Sequence, residues 1–322
     1  MQILIIQTAF LGDLILSTAL IEKLKKIYPD SSIDILIKKG NEKVLNHHPH
    51  IRNIFHFDKG NKFNSFLKNI KEIRFYNYDL SINLHKHFST GLFSLSLKAK
   101  QKIGFSENPL SVFYSKKFPY QWELHEINRI QSLIEYSSDS EISNPKLYPR
   151  EEDWQLVEAE FNNPYISISP ASIWPTKRLA NSKWASLINQ IPEHLDIYLM
   201  GGPNDVKVCH EISKLCSRSV KIIASKYHIL TDAAIMARSQ MNYVLDSAPL
   251  HICSAMNAPQ TVIYCSTAPK YGFGPLSDIS ITIETNESLT CRPCGPHGHK
   301  KCPEGHFKCS NIDLAYSNTT EK

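Results

Sequence analysis

Apolar runs of four to six residues alternate along the chain with longer stretches of helical periodicity. "ILII" (3–6) gives way to a helical pattern from about Leu14 to Ile27; "IDILI" (33–37) and "NIFHF" (53–57) are followed by a helix over Phe63 to Ile73 and by "LSINL" (80–84). Short apolar runs separated by amphipathic helices predict βαβ units and a parallel sheet. After a helical segment around His125 to Tyr136, the polar stretch "YSSDSEISNPKLYPREED" (136–153) reads as a linker. The rhythm then restarts with "YISIS" (165–169), a helix near Lys183 to Ile191, "IYLMGG" (197–202), a helix from Asp205 to Leu215 and "VKIIAS" (220–225). It continues with a helix from Thr231 to Arg238, "NYVLD" (242–246), a helix from Leu250 to Met256 and "TVIYC" (261–265). The expectation is an α/β protein of two Rossmann-like, doubly wound domains, residues 1–150 and 151–322. Ligands would bind in a cleft at the carboxyl ends of their strands, where open α/β sheets bind them.

Composition adds class and compartment. The 322 residues are 42% hydrophobic and 21% charged, which suits a globular protein, and no run approaches the roughly 20 apolar residues of a membrane span. The chain begins directly in a strand, without the basic and apolar regions of a secretory leader, so a cytoplasmic location is expected. In a reducing compartment eight cysteines read as thiols or metal ligands rather than disulfides. Charge is uneven: residues 1–150 hold 21 Lys+Arg against 14 Asp+Glu, the remainder 15 against 17. Lysines dispersed through the first half fit either solvated helix faces or an anionic membrane partner. A non-catalytic nucleic-acid module is the weaker alternative, because these lysines are spread among α/β elements without the aromatic pattern of RNA-binding sheets.

Three strand-end turns carry candidate chemistry. In "QTAFLGDLILSTAL" (7–20) the first strand runs into a turn placed at Gly12, and the next residue is Asp13. Helix N-termini attract anions, so an acid here argues against a phosphate and for either a cap or a proton acceptor. In "SPASIWPTKRLANSKW" (169–184), Ser172, Thr176, Lys177 and Arg178 precede a helix, and hydroxyls, amides and cations could converge there on a diphosphate. "LDSAPLHICSAMNAP" (245–259) repeats the geometry with Asp246, Ser247, Ala248, Pro249 at the first helical position and His251. In "LMGGPNDVKVCHEI" (199–212) Asp205 reads as a cap and Glu211 as a residue facing the cleft. Near the C-terminus Cys291, Cys294, Cys302 and Cys309 follow C-x2-C-x7-C-x6-C. One knuckle is half a zinc site, so structural zinc, a thiol cluster and simple packing all stay open.

"LGDLILSTALIEKLKKIYP", "NLHKHFSTGLFSLSLKAKQKIGF", "HEINRIQSLI", "IWPTKR", "DSAPLH" and "CRPCGPHGHKKCPEGHFKC" stand in the order and spacing of glycosyltransferase family 9, the ADP-heptose:lipopolysaccharide heptosyltransferases, which the chain resembles over nearly its whole length. The resemblance implies a GT-B fold, with the acceptor held by the first domain and the nucleotide sugar by the second. It implies Asp13 as general base and Lys177 as a phosphate contact, with Asp246, Ser247, Ala248 and His251 around the donor diphosphate. Ser172, Thr176, Arg178 and Glu211 join the donor set, and Gly12, His85 and Lys98 are the acceptor candidates. It further implies ADP-heptose or another nucleotide sugar as donor, a lipid A-core glycolipid as acceptor, and peripheral contact with the inner face of the inner membrane. No cofactor is expected for catalysis, since the nearest approach to a metal-binding D-x-D is Asp139-Ser-Glu141 in the polar linker. The chain departs from the family at Ala248, where a glycine is usual, at Ala19, where a proline is usual, and at Gln7, where an arginine or lysine often stands.

Overall fold

Both sheets grow outward from a central strand, and each central strand is the first of its unit. The computed structural model describes residues 1–134 and 141–316, and it divides into two units, Met1–Tyr148 and Pro149–Lys322. The first unit runs β1 (Gln2–Gln7), α1 (Leu11–Ile27), β2 (Ser32–Lys38), β3 (Ile51–Phe57), α2 (Lys62–Ile73), β4 (Tyr78–Asn83), α3 (Phe88–Leu95), β5 (Ala99–Phe105), β6 (Lys116–Phe118) and α4 (Glu126–Gln131). Its six strands lie in the order β3-β2-β1-β4-β5-β6, all parallel. From Ile3 to Ile6 β1 is apolar without alternation because helices cover both faces of a parallel sheet, and Ile35 to Ile37 of β2 are buried in the same way.

The second unit runs α5 (Glu151–Glu160), β7 (Tyr165–Ser169), α6 (Asn181–Gln190), β8 (Asp196–Leu199), α7 (Val206–Ser213), β9 (Lys221–Ile222), α8 (Ile229–Arg238), β10 (Met241–Leu245), α9 (Ala248–Met256), β11 (Gln260–Tyr264) and β12 (Ser280–Glu284). The strand order is β12-β11-β10-β7-β8-β9. Counted from its own first strand, this repeats the order of the first unit: third, second, first, fourth, fifth, sixth. Trp184 and Ile188 of α6, Cys209 of α7, and Tyr243 and Cys265 share one core. Cys253 is buried as well, and Cys216 packs against that core's edge.

The structure differs from the sequence reading in its set of elements and in the length of its linker. α3, β5, β6 and β12 are elements beyond the predicted set, and β5 and β6 escaped notice because Lys100, Lys102, Lys116 and Lys117 interrupt any apolar run. The linker is shorter than 136–153, since α5 starts at Glu151, where the Asp153 carboxylate accepts the Arg150 N–H at 2.8 Å. Ahead of it, Ser143 exchanges two hydrogen bonds with the Gln131 side chain and Lys146 N–H donates to Thr18 Oγ1 at 2.9 Å, which ties this strand of chain to α4 and α1. Residues 135–140 lie outside the described residues, and with them Tyr136 at the end of the expected helix and Asp139 of the candidate acid pair. Among the described residues no helix is long and apolar enough to cross a membrane.

Candidate active site

A doubly wound sheet has a switch point where strand order reverses, and the crevice beyond the strands' carboxyl ends is widest there. In the first unit that point lies between β1 and β4. Gln7 at the end of β1 is buried, and its side chain spans the following turn: Oε1 accepts the Ala9 N–H at 3.2 Å and Nε2 donates to the Asp13 carbonyl at 3.4 Å. Beyond β4, His85 is buried and its Nε2 accepts the Thr8 N–H at 2.7 Å. Burial, with help from His87 and Lys59, pulls the His85 imidazole down to about 3. A neutral ring fits a nitrogen that must accept a backbone proton. His85 thus clamps the β1–α1 turn to β4.

The turn itself is Thr8 to Phe10, not Gly12. α1 starts at Leu11 with Phe10 as its N-cap residue, which places Gly12 second and Asp13 third in the helix. Phe10 holds the N-cap position without a side-chain cap hydrogen bond, and Asp13 is the acid of the first turn. Two neighbours feel the Asp13 charge. On the lysine side, burial lowers the Lys59 ammonium, Lys38 and Lys62 lower it further, and Asp13 opposes them. On the acid side is Glu126 of α4, a residue the sequence reading passed over. Its carboxylate accepts from Tyr120 Oη at 2.7 Å and pairs with Arg129 at 3.0 Å. Burial, the largest cause, and the Asp13 charge push the Glu126 carboxyl up against the pull of Tyr120 and Arg129. A further cation, Lys86, has its Nζ 3.4 Å from the centre of the Tyr120 ring and 4.0 Å from that of Trp122.

Lys98 belongs elsewhere. It precedes β5, and its carbonyl accepts the N–H of Tyr78 at the start of β4. It therefore sits at the amino-terminal edge of the sheet, opposite Asp13 and His85. The family-like segment 83–105 crosses the whole sheet through α3, so nearness in sequence to His85 did not mean nearness in space.

The switch point of the second unit lies between β7 and β10, and a buried ion pair occupies it. Lys177 ends a short 3-10 turn, Pro175–Lys177, beyond β7, and its Nζ is 2.6 Å from Asp246 Oδ2 just past β10. Both side chains are about nine-tenths buried, at 10% and 8% exposure. Thr267, beyond β11, donates to the same oxygen at 2.7 Å. A buried carboxylate held by two donors is fixed in place, and it fixes the ammonium that it pairs with. Ser247 is the N-cap residue of α9, and α9 opens at Ala248, so Pro249 is its second residue. His251, in the first turn, is buried with its ring 6.3 Å from that of Phe273.

The other donor candidates divide. Ser172 and Arg178 are joined, Arg178 Nε donating to the Ser172 carbonyl at 2.6 Å, so the guanidinium folds back on its own loop. Thr176 is the second correction. Its hydroxyl donates to the His299 carbonyl at 3.1 Å and accepts from His299 N–H at 2.7 Å and Ser266 Oγ at 3.0 Å. One donor and two acceptor sites complete a hydroxyl's capacity, so Thr176 anchors the C-terminal segment and has nothing left for a ligand. Glu211 is exposed on α7, bonded to Asn181 at 3.0 Å and near Lys207. Asp205 is the N-cap residue of α7, as read, with its carboxylate on the Gly202 N–H at 2.9 Å.

The cysteine-rich segment braces this centre. Arg292 donates to the carbonyls of Tyr264, Cys265 and Thr267 and pairs with Glu284, while Cys294 N–H donates to the Ser266 carbonyl. Cys309 lies in the core, and burial together with Cys294, Cys302 and Cys291 pushes its thiol up to about 11. The other three sulfurs contact separate partners: Cys291 the His306 ring, Cys294 the Cys291 carbonyl, and Cys302 the Phe307 N–H. Zinc needs four ligands around one centre. Among the described residues no three His, Cys, Asp or Glu side chains are arranged to hold a metal ion.

A family model of "Glycosyltransferase family 9 (heptosyltransferase)" matches residues 66–308. The chain belongs to that family. It is 26% identical over 277 residues to lipopolysaccharide heptosyltransferase 3 of Escherichia coli, covering 80% of this chain and 82% of that protein. In fold it is similar to a family 9 glycosyltransferase from Veillonella parvula, with TM-score 0.81, 22% identity and coverage of 88% and 86%. It is likewise similar to the E. coli ADP-heptose lipopolysaccharide heptosyltransferase II, with TM-score 0.76, 19% identity and coverage of 97% and 98%. The protein is a glycosyltransferase, and its two parallel six-stranded sheets are those of the GT-B type.

Proposed function

We propose that this glycosyltransferase moves a heptose from ADP-heptose to the inner core of lipopolysaccharide, with inversion at the anomeric carbon, and that Asp13 is its general base. The observation that carries the reading is the distribution of charge over two switch points in a family 9 chain. The first unit offers an acid in the opening turn of α1, and the second offers a lysine held by a buried carboxylate.

Asp13 takes the proton of the acceptor hydroxyl as that oxygen attacks the anomeric carbon. The bond from that carbon to the diphosphate breaks on the opposite side, and the charge that develops on the leaving ADP is met by Lys177 and by the N–H groups at the start of α9. A donor phosphate competes with Asp246 for the ammonium, so Asp246 aims Lys177 and yields part of it when the diphosphate arrives. Ser172, Ser247, Ala248 and His251 complete the donor side, with Arg178 available once its guanidinium swings outward. Gly12, next to Asp13 in the first turn of α1, belongs to the acceptor side, and His85 acts by holding the turn. A helix N-terminus keeps Asp13 ionised but weakly basic.

The acceptor in this reading is a lipid A-core glycolipid, and the enzyme works in the cytoplasm on the inner face of the inner membrane, with no cofactor. The test is Asp13→Ala: transfer is expected to vanish while ADP-heptose binding, measured by calorimetry, stays within about twofold of wild type. Loss of binding together with turnover would refute the base assignment. Ala248, where the family has glycine, favours one competing reading, a different nucleotide sugar. Turnover on a panel of ADP-, UDP- and GDP-sugars decides between them.

A further inference from the structure

In unit 1 an exposed aromatic residue stands at or just before the start of each of α1, α2, α3 and α4. Phe10 directly precedes α1 and is 50% exposed; Phe63 is second in α2 and 72% exposed; Phe88 opens α3 and is 55% exposed; Trp122, four residues before α4, is 54% exposed. Leu67 and Leu92 extend two of these one turn along their helices, at 51% and 43% exposure. All four junctions follow the carboxyl ends of strands, so the aromatics stand on the same rim as Asp13. Burying such rings is favourable, and leaving them in water asks for an explanation when they gather on one edge.

Lysines accompany the rings. Lys38 Nζ is 5.6 Å from the Phe10 ring centre, Lys59 and Lys62 flank Phe63 in the chain, and Lys86 lies over Tyr120 and Trp122. Two acids of the rim are already committed: Asp58 to Lys39 and the Gly60 N–H, Glu42 to the Gly40 N–H. The second unit lacks this edge. Among its described residues the exposed large hydrophobics are Ile173, Leu215 and Ile279, none of them aromatic.

Aromatic rings interleaved with lysines are the chemistry of a bilayer interface: the rings enter the headgroup layer and the ammonium groups meet lipid phosphates. We propose that the rim bearing Phe10, Phe63, Phe88 and Trp122 docks on the surface of an anionic lipid bilayer. The proposal rests on the reading that the acceptor is a membrane-held glycolipid. Docking by this edge sets Asp13 at the depth where such a headgroup emerges.

The test uses the full chain and vesicles containing no acceptor, so its outcome is independent of the transfer reaction. Co-sedimentation with mixed phosphatidylcholine–phosphatidylglycerol vesicles is expected to weaken on the order of tenfold in the double variant Phe63→Ser, Phe88→Ser. High salt is expected to weaken it for wild type as well. Phe75→Ser is the control. Phe75 is 86% exposed but follows the end of α2, on the opposite edge, and its loss is expected to leave vesicle binding unchanged. Circular dichroism checks that each variant is folded. With a deacylated, water-soluble acceptor, the Phe63/Phe88 variant is expected to turn over as wild type does. Equal binding by wild type and the double variant, an equal loss with Phe75→Ser, or wild-type binding only to neutral vesicles would each overturn the proposal.

Discussion

The two units share one strand order and differ in how each closes its switch point. In the first, a neutral histidine and a glutamine tie down the turn beyond β1, and the Asp13 charge is felt by both Lys59 and Glu126. In the second, charge fills the switch point, with Lys177 and Asp246 2.6 Å apart and Thr267 beside them. The same topology thus presents a proton acceptor in one case and a guarded cation in the other. Fold fixes where a ligand sits and side chains fix what it is.

The sharpest way to break this comparison is to remove each charge and ask which kinetic constant responds. Asp13→Asn is expected to lower kcat by roughly a thousandfold or more with donor affinity retained, whereas Lys177→Ala is expected to weaken donor binding by about ten- to a hundredfold. Stopped-flow and equilibrium binding with ADP-heptose separate the two, and the same response from both variants would erase the division of labour.

Stability sharpens it next. Asp246→Asn leaves the Lys177 ammonium buried without a counter-charge and should cost about 3 kcal/mol in urea unfolding. Asp13→Asn, at a half-buried helix end, should cost under about 1 kcal/mol.

Acid and alkali should also act on different units. His48 and His85 of the first unit are both depressed to about 3, chiefly by burial. The unfolded chain takes up these protons near pH 6.5 and the folded one does not, so their stabilisation is complete above about 6.5 and is lost as pH falls toward 3. Between pH 6.5 and 5 the loss is roughly 2 kcal/mol for each histidine. Asp232 of the second unit is raised by burial to about 7. Its contribution is present below the usual carboxylate range and is lost as pH rises to about 7, at a cost of about 4 kcal/mol. The gap in Tm between wild type and Asp232→Asn should therefore widen from pH 5 to pH 8, while the gap to His48→Phe should widen from pH 7 to pH 5.

The smallest effect comes from the brace. Gly298 has φ +74°, and a Cβ there would meet Lys177 Cγ at 3.1 Å and Thr176 Oγ1 at 3.2 Å. Gly298→Ala is expected to cost about 1–2 kcal/mol and to weaken donor binding about two- to fivefold. Unchanged donor binding would mean that the C-terminal segment props the core without steering Lys177.

The α/β class and both first strands were legible because fully covered parallel strands read as short, mostly apolar runs, as in Ile3 to Ile6 and, broken only by Ser167, Tyr165 to Ile168. β5 was not: it opens with alanine and three polar residues, since its start is largely exposed. The strand-end turns around residues 13, 177 and 246 were legible as well, because a strand, a turn and a helix leave a local signature. Lys98 was misplaced because α3 carries the chain back across the sheet before β5 begins. Thr176 was misread because its partner, His299, lies 123 residues away, and Glu126 was missed because nothing in its own segment announces the nearness of α1.

Sequence alone determined which residues could carry charge and on which strand ends they would stand, because backbone periodicity and turn chemistry act over a few residues. Only the tertiary structure decided which of those charges are neutralised, which hydroxyls are already bonded and which cysteines are core. Pairing at 2.6 Å and burial away from water are set by parts of the chain that come together solely through packing of the sheet and its helices.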